Sequence, residues 1–175
     1  MQKRTALLVF AIFTLTLFAA AQASPAASAS CDLGGKTIKT DYSSPRMKGR
    51  KIYGGLVPFG EVWRTGANSA TTFVTSADVV VGGKAVPTGN YTLFTVPTAD
   101  KWTLIINKKT TNAGKPIWGI PYRYESDELA RIDMKMSAPA SPVENFTIAY
   151  DKTPTGCTLR EEWDTTRATV DISAK

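Results

Sequence analysis

Between residues 43 and 72 the chain gathers Arg46, Lys48, Arg50, Lys51 and Arg64 among Tyr53, Phe59 and Trp63, with Asn68 near the end. A guanidinium group can hold a carboxylate or phosphate in a two-pronged fork, and an aromatic face can stack on a sugar ring. Arg46, Arg50, Tyr53, Trp63, Arg64 and Asn68 are therefore candidate ligand-binding residues, with Trp118 and Tyr122 of a later irregular segment as candidates to complete the patch. The competing reading is architectural, with Trp63 plugging a core and the arginines satisfying loop carbonyls. Glycines at 49, 54, 55, 60 and 66 and prolines at 45 and 58 are too frequent for a helix and too regular for a disordered tail. The stretch reads as short strands and ordered loops.

Other chemistries are excluded by what the chain lacks. It contains no histidine, which removes Ser-His-Asp and Cys-His catalysis and any histidine-bearing zinc or copper site. Gly54-Gly55 and Gly82-Gly83 have neither the Lys-Ser/Thr ending of a phosphate-binding loop nor the strand-to-helix setting of a dinucleotide fingerprint. No calcium loop is present, and no metal or cofactor is expected. A hydrolase built on two carboxylates, such as a glycoside hydrolase, stays open as an alternative, because such cleavage needs only two acids facing each other across a cleft. The adjacent pairs Asp127/Glu128 and Glu161/Glu162 do not supply it, since neighbours on a strand point to opposite faces.

The N-terminus has basic Lys3 and Arg4, an apolar run over residues 6–21 and an Ala21-Gln22-Ala23 end, the layout of a secretory signal peptide cleaved after Ala23. An uncleaved membrane anchor is the alternative, and a lipidated Cys31 is disfavoured by its distance from the apolar run. Cleavage removes two basic residues, so Lys+Arg falls from 21 to 19 against 15 Asp+Glu, a net charge of +4 with no transmembrane segment left. The charges are interspersed, and export argues further against a nucleic-acid partner. Cys31 and Cys157 are expected to form a disulfide in an oxidising periplasm or extracellular space, two buried thiols being the alternative.

To position the patch, the chain offers strands. Its dominant period is two: extended segments are expected at residues 36–42, 50–53, 62–64, 70–76, 78–81, 84–86, 91–96, 102–107, 131–136, 143–150, 157–163 and 166–172. Residues 24–35 read as a short N-terminal linker, 108–124 as a long loop, and 126–130 as a site for a short helix. The fold class is all-β: a single-domain, antiparallel β-sandwich, jelly-roll-like, over residues 36–175. Within 157–163 the alternation puts Glu161 on the face of Cys157, Leu159 and Trp163, so it is a candidate buried charge. It requires a cation or several donors, with Arg46, Arg50 and Arg64 as candidates, unless a bulge turns it outward. A catalytic acid is the sharper reading of the same residue.

The strings SPRMKGRKIYGGLVPFGEVWRTGAN, VGGKAVPTGNYTLFTVP and WTLIIN resemble the bacterial exported family known as Domain of Unknown Function 2911, over about residues 42–172. The resemblance implies an exported β-rich domain and no particular activity. Family members commonly carry glutamate after the Gly-Ala-Asn run, where this chain has Ser69, so no catalytic role is carried onto Ser69. The resulting expectation is a non-enzymatic binding or structural protein of the bacterial envelope, its partner a carbohydrate, an anionic small molecule or another envelope protein.

Overall fold

The structure is a computed structural model that describes residues 24–118 and 121–175. The expected signal peptide lies outside the described residues. Thirteen strands follow in order: β1 Ala26–Asp32, β2 Thr37–Ser43, β3 Thr71–Thr75, β4 Val79–Val81, β5 Lys84–Val86, β6 Gly89–Pro97, β7 Trp102–Asn107, β8 Thr111–Asn112, β9 Lys115–Pro116, β10 Glu128–Ser137, β11 Val143–Thr153, β12 Gly156–Asp164 and β13 Thr166–Ala174. All their pairings are antiparallel, in the order β1-β2-β3-β6-β7-β10-β13-β12-β11, with β4 and β5 added beside the end of β13. The all-β, sandwich-like, single-domain architecture is the one the period-two pattern predicts.

β10 joins the two layers. Its first part, residues 128–134, pairs with β7, and residues 135–137 pair with β13. The far edges then approach each other: the Phe146 N–H of β11 donates to the Pro45 carbonyl at 2.9 Å, and the Ser44 hydroxyl donates to the Phe146 carbonyl at 2.7 Å. Cys31 of β1 and Cys157 of β12 are disulfide-bonded, with Cα atoms 6.6 Å apart. Closing a loop of 126 residues' separation stabilises by about 4 to 5 kcal/mol in the chain-entropy account.

Side-chain alternation decides which faces pack inward. Trp102, Leu104 and Ile106 of β7 share one face, all fully buried with Leu93, Phe73, Leu159 and Val170 in the main core. Between the layers Trp63, Phe146 and Trp163 meet, with ring centroids 4.8 Å apart for Trp63–Phe146 and 6.0 Å for the stacked Trp63–Trp163 pair. Phe94 and Ile105 point out of the opposite face of the same strands. That face is covered by Ile117, Tyr122 and Tyr124, so the segment expected as an irregular loop packs a second small core. It also carries the β8–β9 ribbon.

Three local expectations are corrected. Residues 24–35 are not a linker: Ala26–Asp32 form an edge strand paired along its length with β2, although its small, polar side chains carry little alternation. The helix expected at 126–130 is one 3-10 turn, Glu125–Asp127, and the chain is already extended at Glu128. The strands expected at 50–53 and 62–64 reduce to single bridges, Tyr53 with Val57 and Trp63 with Thr95.

Candidate functional site

The Trp-Arg-Thr-Gly-Ala-Asn run, residues 63–68, is a loop fixed to the centre of the sheet. Trp63 and Thr95 exchange both backbone hydrogen bonds, at 2.8 and 2.9 Å, so Trp63 prolongs the edge of β6. Its indole N–H donates to the Gly66 carbonyl at 2.9 Å, folding the loop back over its own ring. Thr65 sits at φ 54°, a costly left-handed conformation for a β-branched residue. Its hydroxyl shares a hydrogen bond with Thr95 Oγ1 at 2.7 Å, and its carbonyl accepts from Thr71 Oγ1 at 2.6 Å. At Gly66 a Cβ would lie 2.9 Å from the Ser43 carbonyl oxygen, so only glycine fits against β2 there.

Beside this loop, residues 47–57 make two tight turns pinned by Ile52 and Val57, which are buried. The two segments enclose a cleft of about 440 Å³ whose walls include Lys48, Arg50, Arg64, Leu56, Trp63 and Trp163. No Asp or Glu is among its described lining residues. Among the described residues no carboxylate lies within ion-pairing distance of Lys48, Arg50 or Arg64. Arg50 is steadied by the Met47 and Arg46 carbonyls, at 3.1 and 2.5 Å. The Arg64 Nε–H is buried with no hydrogen-bond partner, and burial lowers the pKa of the guanidinium. A second hollow of about 470 Å³ shares Leu56, Val57 and Trp63 with the cleft and continues past Val62 to Tyr122, with Glu61 and Glu125 in its lining.

Of the candidate residues, the fold brings Arg50, Trp63 and Arg64 into the cleft. Arg46 is half-buried outside its lining, with Nη1 3.5 Å from the Ser44 hydroxyl. Asn68 is exposed and donates to Ser43 Oγ at 3.2 Å. Tyr53 packs into the core, edge-on to Trp102 at 4.9 Å. Its hydroxyl has no partner and is pushed far up by burial, with the Glu161 and Asp164 charges adding to the shift. Tyr122 lines the second hollow and is committed to a network: it donates to Glu128 Oε1 at 2.8 Å and accepts from Asn107 Nδ2 at 2.9 Å. Trp118 is 60% exposed and lines neither hollow. Lys48, Leu56 and Trp163 line the cleft beside these candidates. Trp163 was readable only as core, since it comes from β12, a hundred residues later.

Glu161 is fully buried, as the alternation of β12 predicts, but its expected cation is missing. Among the described residues its carboxyl group meets only Thr95 Oγ1, at 3.2 and 3.4 Å, and no arginine pairs with it. Burial pushes its pKa up to about 8, opposed in part by the Thr95 hydrogen bond. The group is therefore a neutral acid at pH 7 whose carboxyl oxygens accept from the Thr95 hydroxyl. It lines neither of the two hollows beside the Trp63 loop and exposes no surface for a ligand. Glu162, on the other face of β12, is paired with Arg160 and Arg167.

No curated protein and no solved structure matches the chain. The family model described as protein of unknown function (DUF2911) matches residues 24–172, nearly all of the described chain, and the protein belongs to that family.

Proposed function

We propose that the protein is an exported, non-enzymatic binding protein whose basic cleft takes an anionic small molecule in the periplasm or outside the cell. One observation carries the reading: Lys48, Arg50 and Arg64 line a single cleft with no Asp or Glu among its described lining residues. Like charges brought together without counter-charges repel one another, and a bound carboxylate or phosphate relieves that repulsion. Arg64 lines the cleft while its own Nε–H is buried without a partner, so no protein acceptor competes at that atom for its charge. Sugar stacking has weaker support, because Trp63 and Trp163 are 7% and 1% exposed and spend their faces on each other and on Phe146. An acidic sugar would be held by its acid group and would lay an apolar edge on Leu56. The signal-peptide layout of residues 1–23 and the Cys31–Cys157 disulfide support the compartment.

Isothermal titration with galacturonate and with sulfate, against galactose as the neutral control, tests the reading. Binding of an anion that weakens as salt rises, and that drops at least tenfold in Arg64→Ala and Arg50→Ala, is the expected result. Equal behaviour of galactose and galacturonate, or undiminished binding in both variants, would refute it.

A further inference from the structure

Ser24 also lines the basic cleft. Its place is set by the start of the sheet: the Pro25 carbonyl accepts from Ser44 N–H at 2.8 Å, Ala26 pairs with Ser43, and the Ser24 carbonyl lies 3.5 Å from Asn68 Nδ2. The sequence independently puts the leader's cleavage point at Ala21-Gln22-Ala23, immediately before this residue. The first residue of the processed chain is thus a wall residue of the candidate site.

We propose that leader removal completes the anion cleft, the new α-ammonium group of Ser24 joining Lys48, Arg50 and Arg64 as a fourth cation. The step is a hydrolysis: water adds across the Ala23–Ser24 peptide bond, leaving a carboxylate on Ala23 and an amine on Ser24 that takes up a proton. Before cleavage the same nitrogen is an uncharged amide. A backbone nitrogen lies about 1.5 Å from its own Cα, so the new charge arises on a residue of the wall. The inference rests on the cleft being an anion site, and it assigns the site a processing requirement: the unprocessed chain binds more weakly than the exported one.

The α-ammonium group is set apart from the other cations by its titration. An ordinary α-amino group loses its proton near pH 8, while arginine and lysine side chains stay charged well beyond it. Anion affinity in the processed protein therefore falls as pH rises toward about 8, the neighbouring cations favouring the neutral amine and drawing the fall to the lower side of that value. The charged residues lining the cleft are Lys48, Arg50 and Arg64; Glu144 of β11 lies outside the lining, its Oε1 accepting the Lys48 backbone N–H at 2.8 Å. The buried Glu161 titrates in the same window, at about 8, so the comparison needs a partner protein in which only Ser24 is blocked.

The experiment uses the exported protein beginning at Ser24, its α-N-acetylated form and a form extended by Ala23, each titrated with the tighter-binding of sulfate and galacturonate. Neither probe changes charge between pH 6 and 9. The Ser24 form is expected to bind about fivefold tighter than the acetylated form at pH 7, the effect of one charge a few ångströms away in near-aqueous surroundings. The extended form should fall between them, and the advantage should vanish above about pH 9. Equal affinities of the first two forms, or a mature N-terminus found by mass spectrometry elsewhere than Ser24, would overturn the inference and leave the cleft reading standing. If no form binds either anion, both fall together.

Discussion

Replacing Glu161 by Gln should raise stability near neutral pH, and the gain should depend on pH in a way that identifies its cause. The side chain is fully buried, meets one threonine hydroxyl, and has its pKa raised from 4.5 to about 8 chiefly by desolvation. In the unfolded chain it ionises near 4.5, so between that pH and 8 the native state holds a proton that the unfolded state has released. Stability contributed by such a group is fully present below pH 4.5 and is lost as pH rises toward 8. At about 1.4 kcal/mol per unit, the loss is about 3 kcal/mol at pH 7 and about 5 kcal/mol above pH 8. Glutamine keeps the shape and an acceptor for the Thr95 hydroxyl but cannot ionise. Its extra N–H costs about 1 kcal/mol where unpaired, so the variant gains about 2 kcal/mol at pH 7 and is slightly weaker below pH 4.5. Urea unfolding followed by tryptophan fluorescence at pH steps from 4 to 9 reads the difference between the two proteins. Glu128, Asp151 and Asp171, whose pKa values are lowered, contribute stability that is already complete above about pH 4.5 and do not disturb the window. A difference that stays flat from pH 5 to 8 would refute burial as the cause. One that grows in favour of the glutamate would mean that a cation pairs with it after all.

Further outcomes follow from the same structure. Arg64→Met should leave the melting temperature unchanged or raise stability by about 1 kcal/mol, because it removes a buried, unpartnered N–H, while abolishing anion binding seen by titration calorimetry. The double change Cys31→Ser, Cys157→Ser should cost about 2 to 5 kcal/mol in denaturant unfolding, with a folded β spectrum retained at low temperature. Gly82 and Gly83 form the two-residue turn between β4 and β5, both with positive φ. Gly83→Ala meets open space and should cost about 1 kcal/mol, whereas Gly82→Ala drives a Cβ to 2.3 Å from Ile132 Cγ2 and should cost more than about 2 kcal/mol by thermal melting.

The strands that the sequence discloses are those whose side chains differ from one face to the other. In β7 and β12 the apolar residues recur at every second position, and even Glu161 is placed inside by its neighbours. β1 escapes because Ala-Ala-Ser-Ala-Ser offers no contrast between faces, and its pairing is imposed by β2 and the disulfide. Residues 108–124 look irregular because their apolar members answer to Phe94 and Ile105 on a different part of the chain. The cleft is legible in its local half: Arg50, Trp63 and Arg64 lie close in sequence, and short turns bring them together. Lys48 belongs to the same turns, but nothing in its spacing separates it from Lys51, and Trp163 and Ser24 join through long-range strand pairing. The missing partner of Glu161 has a similar origin. Sequence demands a counter-charge for an ionised carboxylate, and the fold instead lets the group stay neutral.

β10 belongs to both layers, its first part bonded to β7 and its last three residues to β13. Neither layer can peel away without tearing the backbone ladder of the other. Heating should therefore melt the domain in one concerted transition, with calorimetric and van't Hoff enthalpies in agreement, where a sandwich joined only by loops could lose its halves in turn.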